Sequence, residues 1–157
     1  MKILIFGLPG SGKTTLAKPF AELINAVHIN ADAVRKEYDD WDFTPEGRIR
    51  QAQRMRHLAD GVVMAGRIAV ADFVCPTSAA RAAFEADYTV FMDTLEASKS
   101  TKPAAPGTTF AQTDSMFEPV QNCNYHVAAW FNDTHAELTK VVNNYMLAQQ
   151  GKPTERL

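Results

Sequence analysis

The chain has 157 residues, of which 46% are hydrophobic and 22% charged, with 16 basic against 18 acidic side chains and a formal net charge of −2. That length suits a single domain, residues 1–157, with a core that needs no staples. The near-neutral balance excludes a chain that is basic throughout for nucleic-acid or membrane binding, though a local basic patch stays open. Two cysteines, Cys75 and Cys123, with no CxxC pair and no histidine at ligand spacing, point to free thiols in a reducing compartment and away from a zinc module.

Lys2 to Phe6 is a short apolar run ending at Gly7 and reads as a buried parallel strand; it is too short for a signal peptide. Lys13 to Leu23 follows with Leu16, Ala17, Phe20 and Leu23 at helical spacing. Ala26 to Ile29 is a second strand. Thr44 to Ala65 predicts a long helix, with Thr44 as its N-cap, Pro45 at its first position and Ile49, Ala52, Met55, Ala59 and Val62 on one face. Arg67 to Val74 reads as a third strand, Ser78 to Ala86 as a short helix, and Tyr88 to Met92 as a fourth strand. Residues 94–121 hold Pro103, Pro106, Gly107 and Pro119 among small polar residues and predict a lid or loop. Tyr125 to Trp130 is a candidate fifth strand, Asp133 to Gln149 a closing helix, and residues 151–157 a polar tail. Strands alternating with helices predict an α/β chain, a five-stranded parallel sheet in a three-layer α/β/α sandwich. No stretch reaches the roughly 18 apolar residues of a membrane span, so a cytoplasmic protein, in a cell or an infected host, is expected.

Gly7-Leu8-Pro9-Gly10-Ser11-Gly12-Lys13-Thr14 fits GxxxxGK[ST] without mismatch, after a strand and at the start of a helix. The glycines let the backbone curl so that successive N–H groups face phosphate oxygens, and the helix adds its positive end. Lys13 is placed to reach the β- and γ-phosphates, the Thr14 hydroxyl to ligate Mg²⁺, and Thr15 to lie near the α-phosphate. GTPases share this loop but need a guanine-reading NKxD, which is absent. An ATPase motor needs a larger chain. The small size favours a P-loop kinase using ATP and Mg²⁺ to phosphorylate a hydroxyl.

The loop, then Ile29-Asn-Ala-Asp-Ala-Val-Arg35, Phe43-Thr-Pro-Glu-Gly-Arg48-Ile, Ala71-Asp-Phe-Val-Cys-Pro76 and Val90-Phe-Met-Asp-Thr94, resembles the adenylylsulfate (APS) kinases. In that family GLSGSGKST is followed by DGDNVR, FSxEDRxEN, an AxISP strand end and VFVDTPLE. The resemblance implies that Asp32 accepts the acceptor's hydroxyl proton and helps to hold Mg²⁺. It implies that Arg35 and Arg48 hold the acceptor's phosphate or sulfate, and that Phe73 stacks on its base. Arg81 is a further candidate anion contact. Each has a plainer reading, as a helix cap for Asp32, solvated helix charge for Arg35 and core for Phe73.

This sequence also departs from the family. Ala33 and Gln51 stand at two of its asparagines, and Asp72 replaces an alanine. Asp72 is either a second acid on the magnesium side or a residue solvating a strand edge. The family's basic lid is reduced here to Lys99 and Lys102, and no arginine occurs between Arg81 and Arg156. Small kinases similar to APS kinases but with reduced lids occur in bacteriophages, and some phosphorylate 5-hydroxymethyluracil in DNA. Arg48, Arg50, Arg54, Arg56 and His57 could follow a DNA backbone, and Trp41, Phe43 and Phe73 could stack a base. Three functions are therefore carried forward. Hydroxymethylpyrimidine DNA is favoured as acceptor because of the lid, APS is the alternative, and the third is a nucleotide-binding protein that acts by interaction alone. The sequence does not set an oligomeric state.

Overall fold

The computed structural model describes residues 1–94 and 116–150. Strands β1 (Lys2–Gly7), β2 (Val27–Asn30), β3 (Ala69–Phe73), β4 (Tyr88–Met92) and β5 (Tyr125–Val127) form one sheet, paired parallel throughout in the order β2-β3-β1-β4-β5. Helices α1 (Lys13–Leu23), α2 (Ala31–Tyr38), α3 (Pro45–Met64), α4 (Ser78–Phe84) and α5 (Thr134–Gln150) cover it. The predicted three-layer α/β/α architecture is the one observed.

The alternation of side chains along a strand sorts the sheet into two cores. Ile3, Ile5, Val70 and Val90 face α1 and α5, where they meet Leu16, Phe20, Leu138 and Val142. Leu4, Phe6, Ala71 and Phe73 face the other way, toward Val34, Met55, Ala80 and Phe84 from α2, α3 and α4. Phe20 is fully buried, and truncating such a ring to alanine costs about 3–5 kcal/mol. The same parity puts Asp72, two residues after Val70, on the α1 face of the sheet.

Helix starts follow their caps. Thr44 accepts the Gly47 N–H at 3.1 Å with Pro45 just inside α3, as its sequence predicts. Thr77 does the same for Ala80 at 3.1 Å in α4. Between the second strand and Thr44 the sequence offers a helix only through the plainer readings of Asp32 as a cap and Arg35 as a helix charge; α2 fills that interval, with Asp32 inside its first turn rather than capping it. Its cap is Asn30, the last residue of β2, whose Oδ1 accepts the Ala33 N–H at 3.0 Å. Strand and cap therefore overlap, and no loop signal separates them.

The third strand is shorter than expected. The Arg67 N–H closes a turn onto Val62 O at 3.2 Å, and Cys75 at φ 47° turns the chain away. The fifth strand stops at Val127 rather than Trp130. Residues 95–115 of the expected lid, with Lys99 and Lys102, and the 151–157 tail lie outside the described residues. Among the described residues, no helix is long and apolar enough to cross a membrane.

Candidate active site

β1 runs through the middle of the sheet and delivers the phosphate loop to its carboxyl edge, where parallel-sheet sites gather. Gly10 (φ 82°) and Gly12 (φ 95°) take left-handed conformations that a side chain would strain. At Gly7 an added Cβ would sit 2.5 Å from the Met92 carbonyl oxygen. The first turn of α1 has no side-chain cap and no acidic residue, so its N–H groups and positive end face the cleft unopposed. Lys13 Nζ crosses the loop to donate to Leu8 O at 3.0 Å. Burial lowers its pKa to about 8, against the pull of Asp72 and Asp32.

A polar cluster lies beside the loop. The Thr14 hydroxyl donates to Asp72 Oδ1 at 3.1 Å. Asn30 Nδ2 donates to Thr14 Oγ1 at 3.2 Å and to Asp72 Oδ1 at 3.2 Å. His28 Nε2 meets Asp72 Oδ2. The Asp72 side chain is only 3% exposed, so its placement against Thr14 favours the first of its two readings. A hydroxyl and a carboxylate are hard oxygen donors, and Mg²⁺ asks for only one or two such ligands beside phosphates and water. Thr14 and Asp72 therefore fit that ion. Neither His28 nor Asn30 was singled out from the sequence. The available signal was their spacing, i and i+2 along β2, which puts both on the face that Asp72 shares.

Across the cleft, Arg35 and Arg48 flank one ring. The Arg35 guanidinium lies 4.4 Å from the Phe43 ring centre and that of Arg48 5.2 Å. Arg35 donates to the carbonyls of Asp40 (3.0 Å) and Asp42 (3.2 Å), and Arg48 Nε to that of Phe43 (3.1 Å). Arg35 is 4% and Arg48 6% exposed, and burial lowers both pKa values, with a smaller push from Arg54 on Arg35 and from Arg35 on Arg48. Arg35 is thus not a solvated helix charge. Phe73 packs edge-on against Phe84 at 5.6 Å and also lines the cleft, so its core and site readings coexist. Asp32 sits in the first turn of α2 and is exposed toward the same space. The cleft, about 470 Å³, brings together the loop, Asp32, Asp72, Arg35, Arg48 and Phe73.

Two expectations need correction. Arg81 is not among the residues that line this cleft; it donates to the carbonyls of Cys75 (3.0 Å), Pro76 (3.0 Å) and Glu118 (2.9 Å), and its guanidinium sits 4.9 Å from the Phe6 ring centre. It closes the turn after β3 rather than facing an acceptor. The outer face of α3 is not a bare basic track either. Arg50 pairs with Asp40 (2.8 Å) and Asp42 (3.0 Å), Arg54 with Asp40 (3.0 Å), and Arg56 with Glu85 (3.1 Å). Trp41 is half-exposed and is not among the residues lining the cleft.

The family described as adenylylsulphate kinase matches residues 1–102. No curated protein sequence matches the chain. Among solved structures, the fold is similar to APS kinase CysC of Mycobacterium tuberculosis, in complex with AMPPNP and APS, with a TM-score of 0.76, 18% identity and coverage of 90% of this chain and 96% of that one. A gluconokinase from Sinorhizobium meliloti 1021 has a TM-score of 0.62 at 17% identity, covering 96% and 97%. The shikimate kinase of Aquifex aeolicus has a TM-score of 0.59 at 13% identity, covering 97% and 100%. All three likenesses bear on the fold, which is shared among P-loop kinases of different acceptors.

Proposed function

Because the chain belongs to the adenylylsulphate kinase family, we propose that it is an ATP-dependent kinase that phosphorylates the hydroxyl of a small, anionic, nucleotide-type acceptor. The observation that carries this reading is the pair of buried guanidiniums at Arg35 and Arg48, facing the phosphate loop across a single cleft that also holds Asp32.

In this reading the loop amides, the start of α1 and Lys13 hold the β- and γ-phosphates of ATP. Thr14 and Asp72 would hold Mg²⁺, which would supply neutralising charge to the phosphate oxygens. Arg35 and Arg48 grip the acceptor's sulfate or phosphate, and Phe43 and Phe73 offer ring faces to its base. Asp32 takes the proton as the hydroxyl oxygen bonds to the γ-phosphorus, the bond from that phosphorus to the bridging oxygen breaks, and ADP leaves.

The acceptor follows from where the arginines lie relative to the cleft. The arginines on the outer face of α3 already serve neighbouring carboxylates, which weakens the case for a DNA backbone following them. The buried pair sits in a cleft within the usual size of small-ligand sites. APS, the ligand in the mycobacterial relative, is the natural test molecule.

The test supplies ATP labelled at the γ-position with APS in one reaction and with 5-hydroxymethyluracil DNA in another. Label on APS is expected. Label on DNA alone would overturn the small-acceptor reading and restore the DNA one. Tight ATP binding with no transfer to either would favour a nucleotide-binding protein that acts by interaction.

A further inference from the structure

We infer that His28 is a positioning residue for the magnesium-side carboxylate, fixing the plane of Asp72 so that one of its oxygens stays turned to Thr14 and the metal. The inference rests on the magnesium–nucleotide reading of the phosphate loop and adds a residue to it that neither the motif nor the family resemblance marks.

The argument begins with the strand pairing. β2 is an edge strand, and it aligns His28 with Val70 and Asn30 with Asp72. Val70 faces α1, so alternation sends His28, Asn30 and Asp72 to that same face, below the start of the helix that carries Thr14. The Asp72 oxygens then divide. Oδ1 receives the Thr14 hydroxyl at 3.1 Å, Oδ2 meets His28 Nε2, and Asn30 Nδ2 reaches both, at 3.2 and 3.4 Å. Nε2 facing a carboxylate carries the imidazole proton.

An aspartate on a strand has a soft terminal torsion, and contacts on one oxygen do not fix its plane. His28 supplies an anchor on the far oxygen, which Asn30 alone cannot, because its amide is shared with Thr14 and its own carbonyl is committed to capping α2. Freed of His28, the carboxylate can turn about that torsion. That turn would withdraw an oxygen from the metal position. Partners behind a metal ligand commonly change metal affinity by about 10–100-fold when removed.

A mere tie between β2 and β3 would not discriminate between nucleotide with and without metal, so the test is built on that difference. ADP binding is measured by calorimetry in chelator and over a Mg²⁺ series, for the wild type, His28→Leu, His28→Asn and His28→Gln. The Mg²⁺ concentration for half-maximal transfer is measured alongside. Gln places an N–H near the level of imidazole Nε2, whereas Asn falls short of it.

For His28→Leu and His28→Asn, the Mg²⁺ needed rises by about tenfold or more, while metal-free ADP affinity stays within about twofold of wild type; His28→Gln recovers most of the loss. An unchanged Mg²⁺ requirement in both, equal losses with and without metal, or a Gln variant as impaired as Leu would each overturn the inference. If His28→Leu fails to fold, the Asn and Gln variants carry the comparison. A wild-type protein whose ADP binding ignores Mg²⁺ would instead break the magnesium reading itself, a result separable from a failure confined to His28.

Discussion

On one side of the cleft the lining comes from one short stretch, residues 9, 10 and 12–15, joined by Asp72; on the other it comes from Asp32, Arg35, Phe43 and Arg48, spread over two helices and the turn between them. In the proposed reading the first is the donor wall, working mainly through backbone amides and a helix end whose positions the chain fold dictates. The second is the acceptor wall, working through long side chains that must be desolvated and held. Arg35 and Arg48 are held by carbonyl oxygens and an aromatic face. At Arg35 the two carbonyls orient the guanidinium while leaving it charged, which in the proposed reading gives that wall its attraction for an incoming anion.

If the donor wall is common to every acceptor, breaking it should abolish transfer outright. Lys13→Ala should lower kcat by at least about a hundredfold with any acceptor; Asp32→Ala, on the opposite wall, should do likewise through the proton step. Steady-state rates with saturating ATP check both, and a near-normal rate in Asp32→Ala would remove it from the base role. The acceptor wall predicts a different pattern. Arg35→Met should raise the acceptor's KM by about 10–100-fold, the scale of one charge-assisted contact, and leave the KM for ATP unchanged. Equal changes in both constants would mean that the two walls do not work separately.

A finer division comes from Lys13 itself, whose pKa in the free protein is lowered to about 8. Phosphates beside it favour the charged form and raise that value. Between the free and bound values, binding must take up a proton. Nucleotide affinity should therefore be flat below pH about 8 and fall above it, by up to about tenfold per pH unit. Calorimetry in buffers of different ionisation enthalpy should detect proton uptake near pH 8.5 and little near pH 6.5, about two units lower. Lys13→Arg, charged throughout, should remove the dependence.

The same contrast explains what could be read from the sequence. The donor wall is contiguous, so GxxxxGKT with its flanking strand and helix was enough to place Gly7 to Thr15. The sheet was legible because buried parallel strands such as Ile3-Leu4-Ile5 are apolar throughout. The extent and cap of helix α2 were not, because the cap, Asn30, is also the last residue of a strand. His28 and Asn30 acquire meaning only through the β2–β3 register, which sets them beside Asp72, some forty residues on. Arg81 looked equivalent to Arg35 in sequence; both are held by carbonyl oxygens, and only its position outside the cleft distinguishes Arg81. Charge counted along α3 likewise could not reveal that Asp40, Asp42 and Glu85 fold back on Arg50, Arg54 and Arg56.

That last pairing gives the smallest expected effect and sharpens the contrast between the faces of α3. Arg48 and Arg50 are two residues apart, yet one is buried in the cleft wall and the other lies outside among carboxylates. Exposed pairs of this kind contribute little and are screened by salt. Arg50→Ala and Arg56→Ala, singly or together, should change the KM for a small acceptor by less than about twofold, where Arg48→Met raises it at least about tenfold. Repeating the measurement at low and high salt adds a check. If the outer arginines guided a polyanion, their removal would flatten a steep salt dependence; if their charge is spent on Asp40, Asp42 and Glu85, the salt response of the variants should follow that of the wild type.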